Sequence, residues 1–190
     1  MLAGVILAGG KTMRDGKLKA MMPFQGEPII RRQIREMQTI CAEMIIVTNE
    51  PKQVLPVVDR DIRIITDFIP GMGPLSGMHA ALKLSKCEQV WIAAADMPFV
   101  SAAAAALMLE YKESLQLDAA IPLLQGRHVP LHAVYHKSIS AAVSALLHAG
   151  ETRLTELLRL IHWGEVTEDE FHMRGIATSF ADEIKSETLQ

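Results

Sequence analysis

The sequence predicts an α/β fold of three layers, in which helices cover both faces of a mostly parallel β-sheet. Short apolar runs rich in β-branched residues alternate with longer helical patterns along the chain. The apolar runs stay apolar along most of their length, which indicates strands that are buried on both faces. Several helical patterns begin with proline or follow a serine, as the first turns of helices prefer.

Five strands are predicted from the apolar runs. In chain order they are Gly4–Ala8, Met44–Thr48, Ile62–Thr66, Gln89–Ala94 and Asp118–Leu123. The helices predicted between them are Pro28–Cys41, Pro51–Val58, Leu75–Leu84 and Ser101–Leu115. From Ser138 onward the pattern indicates two helical segments, a short strand at Trp163–Val166 and a polar tail. Ligands of such sheets bind beyond the carboxyl ends of the strands, so the residues that follow each strand are the candidates for a site.

Length and charge limit the classes of protein that fit. A chain of 190 residues with 49% hydrophobic content is sufficient for one globular domain, expected to span residues 1–190. The net charge of −3 provides no basic surface for nucleic acid. The alanine-rich run Val100–Leu109 is too short to span a membrane. Only two cysteines are present, Cys41 and Cys87, and we expect a cytoplasmic protein with reduced thiols.

The loop after the first strand has the composition of a phosphate-binding loop. It runs from Leu7 to Lys19 and contains Gly9, Gly10 and Gly16, together with four cations within nine positions. Glycine lets the backbone approach an anion closely, and Lys and Arg supply positive charge. The spacing matches neither a Walker A loop nor a dinucleotide fingerprint. A nucleotide is the favoured ligand, and a flexible surface turn with solvated lysines is the alternative reading of this loop.

Asp96 is the candidate metal ligand. It directly follows the apolar run that ends in Ala93-Ala94-Ala95, where a charge is costly unless it is paired or bound to a cation. Mg²⁺ prefers one or two carboxylates, with phosphate oxygens and water completing its shell. The alternative is an aspartate that caps the helix at Ser101, which Pro98 and the intervening residues disfavour.

Two further features are less specific. Asp67 follows the third strand, and it could either accept hydrogen bonds from a ribose or base or start a turn. The glycine- and proline-rich loop 70–77 comes next. This loop could either present N–H groups to a ligand or simply connect two elements. His128, His132 and His136 recur every four residues around Pro130. We expect them to share one face of a strand as solvated or hydrogen-bonded side chains rather than to bind metal.

Taken together, these motifs resemble those of the molybdenum cofactor guanylyltransferases, the MobA-like branch of the nucleotidyltransferases. The matching residues are Leu7-Ala8-Gly9-Gly10, Arg14-Asp15-Gly16, Lys19, Pro23, Gly26, Pro28-Ile29, Asp67, Gly73-Pro74-Leu75-Ser76-Gly77, Asp96-Met97-Pro98 and His128-Val129-Pro130-Leu131. The resemblance extends to about Leu160 and implies a Rossmann-like nucleotidyltransferase fold.

The resemblance also implies an activity, which is transfer of GMP from GTP to the terminal phosphate of molybdenum-molybdopterin with release of pyrophosphate. It implies Mg²⁺ as cofactor, and other molybdenum cofactor biosynthesis proteins and molybdoenzymes as further partners. Arg14 and Lys19 would hold phosphates as catalytic residues, and Asp96 would bind the metal. The implied nucleotide-binding residues are Leu7, Ala8, Gly9, Gly10, Lys19, Asn49, Asp67, Gly73, Pro74, Leu75 and Asp96.

The chain departs from the family pattern at two places. Asp15 replaces the methionine that usually follows the loop arginine, and it would repel phosphate unless it is paired. Near the C-terminus, Ala177 and Ser179 stand where the family commonly has two asparagines, one of them near the metal. We expect that Ser179 or water replaces this ligand, or that activity is reduced.

Three alternative functions remain open at this point. The same scaffold serves enzymes that use CTP with molybdopterin and enzymes that use sugar phosphates. A non-catalytic carrier of the molybdenum cofactor is the alternative from another class, because Asp15 and Ala177 depart from the pattern expected of an active enzyme.

Overall fold

The structure, a computed structural model, describes residues 1–9 and 16–184. The strands are β1 Leu2–Leu7, β2 Pro23–Phe24, β3 Glu27–Pro28, β4 Glu43–Val47, β5 Arg63–Ile65, β6 Gln89–Ala94, β7 Ala119–Leu124, β8 Arg127–His128, β9 His132–His136 and β10 Trp163–Thr167. The helices are α1 Ile29–Met37, α2 Pro51–Val54, α3 Gly73–Leu84, α4 Ala102–Ser114, α5 Ser140–His148, α6 Leu154–Leu158 and α7 Glu168–Met173. Short 3₁₀ turns occupy Lys19–Met21, Leu55–Val57, Lys137–Ile139 and Thr178–Ala181.

The main sheet is mostly parallel, as the sequence predicts. Its strand order is β10-β7-β9-β6-β1-β4-β5, with β8 paired to β7. All five predicted strands are present with slightly shifted bounds, as is the predicted strand near Trp163. The exception to the parallel pattern is β9, which runs antiparallel to both β6 and β7, and the short β8 is antiparallel to β7.

Helices cover both faces of the sheet, which confirms the three-layer prediction. On one face, Ile6 of β1 and Ile46 of β4 pack in a core cluster with residues of α1, α4 and α7. On the other face, Val5 and Ile45 from the same strands pack with residues of α3, α5 and α6. Alternate residues of a strand point to opposite faces, and both faces are covered, so most residues of β1, β4, β6, β7 and β9 are buried.

Three helices differ from the prediction. The predicted helix Pro51–Val58 is only one turn of α-helix followed by a 3₁₀ turn, because Pro56 has no N–H with which to continue the α-helical pattern. The helix predicted to reach Cys41 ends at Met37. The polar tail contains a helix that the prediction missed, α7, which begins with a capping box between Thr167 and Glu170.

Cys41 and Cys87 are both free thiols that are at least partly shielded from solvent. Burial, together with the neighbouring Cys87, raises the pKa of Cys41 to about 12. Burial also raises the pKa of Cys87. Both thiols are therefore protonated at neutral pH. Over the two described ranges, no helix has the length and apolar character needed to cross a membrane.

Candidate active site

A cleft of about 320 Å³ opens beyond the carboxyl ends of β1 and β6. These strands are parallel neighbours. After β1 the chain forms β4 and β5 on one side of β1, and it then forms β6 on the other side. Such a switch point in strand order is where parallel sheets bind ligands. The backbone N–H of Ala95 donates to the carbonyl oxygen of Leu7 at 3.2 Å, which joins the two strand ends at the floor of the cleft.

An ion pair spans this cleft. The Lys19 ammonium lies 2.9 Å from the Asp96 carboxylate, and their side chains are 42% and 17% exposed. The hydrogen bond from Lys19 to Asp96 raises the pKa of Lys19; burial opposes this rise, and the charges of Asp96 and Glu183 add to it. Lys19 is therefore a stable cation facing the cleft, and Asp96 is an acceptor held at its wall.

The approach to Lys19 is fixed by α2. Gln53 accepts a hydrogen bond from the backbone N–H of Leu18 at 3.0 Å and donates to the carbonyl oxygen of Gly16 at 3.1 Å. Leu18 is itself buried. The segment that leads into Lys19 is thus held at two backbone positions, and the Lys19 side chain extends from it to Asp96.

Asp96 lies in a short connection between β6 and α4 and does not cap that helix. Ser101 is the N-cap of α4, and its hydroxyl accepts from the N–H of Ala104 at 3.1 Å. The backbone carbonyl of Asp96 accepts from the N–H of Ile184 at 2.9 Å, so a distant C-terminal segment lies against the Asp96 loop. That segment brings Glu183 to the same cleft.

A second cleft of about 490 Å³ adjoins the first and shares Leu7, Gly9 and Pro74 with it. Asn49 and Asp67 line it from the ends of β4 and β5. The Asn49 amide nitrogen donates to the Asp67 carboxylate at 3.3 Å, and the Asp67 backbone N–H donates to the Asn49 side-chain oxygen at 3.4 Å. The two predicted guanosine-facing residues are therefore neighbours that orient each other.

The start of α3 lies between the two clefts. Gly73 and Pro74 form its first turn and line the second cleft, and the helix has no side-chain cap, so its first N–H groups remain available to a ligand. At Gly77, a Cβ atom would lie 3.3 Å from the Asp67 carboxylate, so glycine allows the helix to pass close to this side chain. Leu75 is fully buried in the core and lines neither cleft, so its side chain serves packing.

We expect Asp67→Asn to stabilise the fold at neutral pH. Burial raises the pKa of Asp67, although the hydrogen bond from Asn49 lowers it in part. When the pKa in the folded state is raised, ionisation of the carboxyl group lowers the free energy of unfolding. This loss is absent below the unfolded-state pKa and is complete above the folded-state pKa. Urea denaturation should show a gain of less than about 1 kcal/mol at about pH 7, since the carboxylate is only half-buried, and no gain at about pH 3.

The matched control for Asp67→Asn is Asp59→Asn, a change of an exposed aspartate outside both clefts. We expect Asp59→Asn to leave the denaturation midpoint unchanged at both pH values. An equal gain in the two variants would show that net charge, and not burial of Asp67, sets the effect.

A third cleft, of about 670 Å³, meets the first at Leu131 and Glu183. The turn between β7 and β8 and the segment up to Leu131 form one wall, and Asp182 lies on the opposite side. The His128 side chain lies on this rim and contacts Glu165 at 2.7 Å. Glu183 therefore lines both the first cleft and the third cleft.

The three histidines do not share one face of a single strand, contrary to prediction. His128 belongs to β8 and is exposed, whereas His132 and His136 belong to β9, because the turn at Pro130 separates the strands. His132 is fully buried; its Nε2 atom accepts from the N–H of Ser101 at 3.2 Å, and burial lowers its pKa to about 3. Each of the three histidines makes a hydrogen bond, as expected, although the Nδ1 atom of His132 is buried without a partner in the described part of the chain.

Five further residues named in the sequence analysis are not found at the first two clefts among the described residues. Gly10, Arg14 and Asp15 fall outside the described residues. Ala177 and Ser179 line a separate cleft with Arg32 and Arg174, away from Asp96.

Two residues were not predicted from the sequence: Glu183, which lines the first cleft, and Gln53, which holds the segment before Lys19. Glu183 lies in the segment that aligns with the family's asparagine motif, so its position just beyond Ser179 was the available signal. Gln53 had no signal, since its contacts with the loop join residues that are 35 and 37 positions apart.

Comparison with known families and proteins shows what this chain is similar to. The MobA-like NTP transferase domain matches residues 4–168. A protein of Pelotomaculum thermopropionicum is 35% identical over 175 residues, which is 92% of this chain and 82% of that protein. A protein of Methanosarcina mazei is 32% identical over 158 residues, which is 78% of this chain and 70% of that protein. Both carry the name "probable molybdenum cofactor guanylyltransferase".

Solved structures share the fold. Molybdopterin-guanine dinucleotide biosynthesis protein A from Archaeoglobus fulgidus superposes with a TM-score of 0.81 at 22% identity, covering 96% of this chain and 91% of that one. The 4-diphosphocytidyl-2C-methyl-D-erythritol synthase of Anaerococcus prevotii has a TM-score of 0.70 at 14% identity, covering 98% of this chain and 93% of that one. At these identities, the likeness shows the fold alone.

Proposed function

Because this chain belongs to the MobA-like NTP transferase family, we propose that it transfers GMP from GTP to the terminal phosphate of molybdenum-molybdopterin. The products are the molybdopterin guanine dinucleotide cofactor and pyrophosphate. The observation that carries this proposal is the strand-end cleft, in which Lys19 and Asp96 face each other beside Leu7, Ala8 and Gly9. We propose that one domain, residues 1–190, performs the reaction.

The chemistry suits the side chains present. The attacking group is a phosphate oxygen, which is already an anion and needs no general base. The protein must align this oxygen with the α-phosphorus of GTP and neutralise the charge that develops on the leaving pyrophosphate. Lys19, held as a cation at the cleft, provides such charge, and Arg14 is proposed to add to it from the first loop.

The residues of the cleft fit Mg²⁺. Asp96 and Glu183 both present carboxylates to it, and one or two carboxylates with phosphate oxygens and water form the donor set that Mg²⁺ prefers. We propose that Asp96 holds the ion, with Glu183 beside it. When bound, Mg²⁺ would neutralise charge on the triphosphate. Asp96 would then exchange its contact with Lys19 for the ion, leaving the Lys19 ammonium to the phosphates.

The second cleft is proposed to take the nucleoside. Asn49 and Asp67 would face the guanosine, and the mutual hydrogen bonds between them preset their directions. The backbone of Leu7, Ala8 and Gly9 would follow the nucleotide along the shared edge of the two clefts, and Gly10 would continue it. Gly73 and Leu75 would contribute uncapped N–H groups of the α3 N-terminus, and Pro74, which has no N–H, would line the cleft beside them.

The third cleft is proposed to take molybdenum-molybdopterin. It opens next to the Lys19–Asp96 cleft, so an acceptor phosphate placed at its edge would reach the α-phosphorus from the side of Leu131. Its volume exceeds those of the first and second clefts, which leaves room for a ligand in addition to the nucleotide. Other molybdenum cofactor biosynthesis proteins and molybdoenzymes are proposed as the partners that deliver and receive this ligand.

Pyrophosphate release tests the proposed function. Purified protein would be mixed with molybdenum-molybdopterin, GTP and Mg²⁺, and pyrophosphate and the dinucleotide product would be measured. We expect stoichiometric formation of both, and no pyrophosphate without the acceptor. Binding of the acceptor without pyrophosphate release would instead identify a carrier. Competition of unlabelled CTP with labelled GTP decides the base, and we expect GTP to compete far better.

A further inference from the structure

One buried side chain of α1 makes hydrogen bonds to the segment that carries Asp96. Gln33 is fully buried, and its amide nitrogen donates to the carbonyl oxygen of Ala94 at 2.7 Å and to that of Met97 at 2.9 Å. These two carbonyls stand on either side of Asp96 in the chain. A single side chain therefore ties α1 to both ends of the turn from which the carboxylate projects.

Packing alone does not account for a glutamine at this position. Its neighbours on the buried side of α1, including Ile30, Ile34 and Met37, are apolar. The Gln33 side-chain oxygen is buried and finds no donor among the residues that the structure describes. A buried polar atom without a partner costs stability, and an apolar side chain would avoid that cost. What Gln33 adds is the pair of hydrogen bonds to the Asp96 segment.

Other contacts hold the same segment less directly. The Arg32 guanidinium donates to the carbonyl oxygen of Pro98 at 2.9 Å, from a partly exposed position. The backbone N–H of Ile184 donates to the carbonyl oxygen of Asp96. Only Gln33, among the contacts described, bonds on both sides of Asp96 from a site that water does not reach.

We propose that Gln33 is a positioning residue for Asp96, which fixes the direction of the carboxylate through its two hydrogen bonds to the flanking carbonyls. The proposal rests on the proposed function, in which Asp96 holds a divalent ion with the triphosphate. Groups that orient a metal ligand affect metal affinity without touching the metal, and losing such a group commonly weakens binding by about tenfold or more. A ligand held by a rigid, dry support keeps its geometry when substrate enters.

The test is Gln33→Met, which keeps the length and apolar volume of the side chain and removes both donors. Mn²⁺ would be titrated into the protein with a non-hydrolysable GTP analogue, and free Mn²⁺ would be followed by electron paramagnetic resonance. We expect the Mn²⁺ dissociation constant to rise about tenfold. In turnover assays, the Mg²⁺ concentration for half-maximal rate should rise by a similar factor, and KM for the acceptor should not change.

The matched control is Gln89→Met. Gln89 lies at the amino end of β6, the opposite end from Asp96, and its side-chain oxygen is also buried without a partner in the described part of the chain. We expect wild-type Mn²⁺ affinity for this variant. If Gln33→Met does not fold, the isosteric Gln33→Glu replaces it. Measured at about pH 6, where burial keeps the acid protonated, it can donate one hydrogen bond and should give a smaller loss of affinity.

Asp96→Asn in the same titration separates the two proposals. If Asp96→Asn weakens Mn²⁺ binding but a folded Gln33 variant binds as the wild type does, the positioning role is wrong and the proposed function stands. If Asp96→Asn leaves Mn²⁺ binding unchanged, the metal assignment of the proposed function fails. A Gln33→Met variant with reduced thermal stability but an unchanged Mn²⁺ dissociation constant would show a purely structural role and would overturn the proposal.

Discussion

Asp96→Asn is expected to lower the rate of guanylyl transfer by about a thousandfold while leaving the fold intact. Asparagine has nearly the same shape and still accepts a hydrogen bond from Lys19, but it carries no charge with which to hold a divalent ion. The ion pair that it replaces is partly exposed, and such pairs contribute about 1 kcal/mol or less to stability. The loss should therefore appear in turnover and hardly in the free energy of unfolding.

Pyrophosphate release at saturating GTP and acceptor measures this loss, and urea denaturation checks the fold. Raising the Mg²⁺ concentration should recover part of the lost rate, because the weakened site still has the phosphate oxygens of GTP as ligands. Asp59→Asn, an exposed change outside the clefts, should keep the wild-type rate. Retention of more than about a tenth of wild-type turnover by Asp96→Asn would reject the assignment of Asp96 as the metal ligand.

Lys19→Met should have the second largest effect, a loss of about a hundredfold in kcat/KM. The methionine side chain fills similar space but offers no charge to the triphosphate. Lys19→Arg should recover part of this loss, because it restores the charge with a planar, differently directed group. Steady-state kinetics with GTP varied at saturating acceptor measure the effect. Lys86→Met, at the opposite end of the sheet, should match the wild type.

The double variant Lys19→Met with Asp96→Asn gives a sharper check. The two side chains contact each other, so their effects on kcat/KM should not add. We expect the fold-decrease in kcat/KM of the double variant to be smaller than the product of the two single fold-decreases, because each single change already removes the ion pair between Lys19 and Asp96. Strictly multiplicative losses would show that Lys19 and Asp96 act on separate parts of the reaction.

The parts of the fold that depend on local pattern were predictable. Each predicted strand is a run of apolar residues bounded by turn residues, and the sheet buries them on both faces. The strand β9 was not predicted as such, because the turn around Pro130 and two histidines break its apolar pattern. Its antiparallel direction depends on pairing with β6 and β7. The paired residues lie 39 to 47 positions apart for β6 and 14 to 16 positions apart for β7, and no local rule specifies such pairing.

The candidate site was predictable where it coincides with strand ends or with the two glycine-containing loops that hold Lys19, Gly73 and Pro74. Asp96, Asp67 and Asn49 follow strands, and the rule for parallel sheets was enough to bring them to one edge. Gln33 and Glu183 reach the same edge through helix packing and through a distant backbone hydrogen bond. Gln33 has no sequence spacing that marks it, and Glu183 is marked only by its position just beyond Ser179. Ser179 shows the converse, since the alignment with the family pattern suggested the metal site and the structure places it in another cleft.

Because its two thiols are at least partly shielded from solvent, the unmodified chain should react only slowly with a thiol-specific label. With the pKa of Cys41 raised to about 12 and that of Cys87 also raised, neither supplies appreciable thiolate at neutral pH to react with a maleimide dye. A single new cysteine on the rim, such as Arg127→Cys, would therefore be the only fast-reacting group. Fluorescence from that one dye would report when the acceptor arrives, in real time and without removing any native residue of the core.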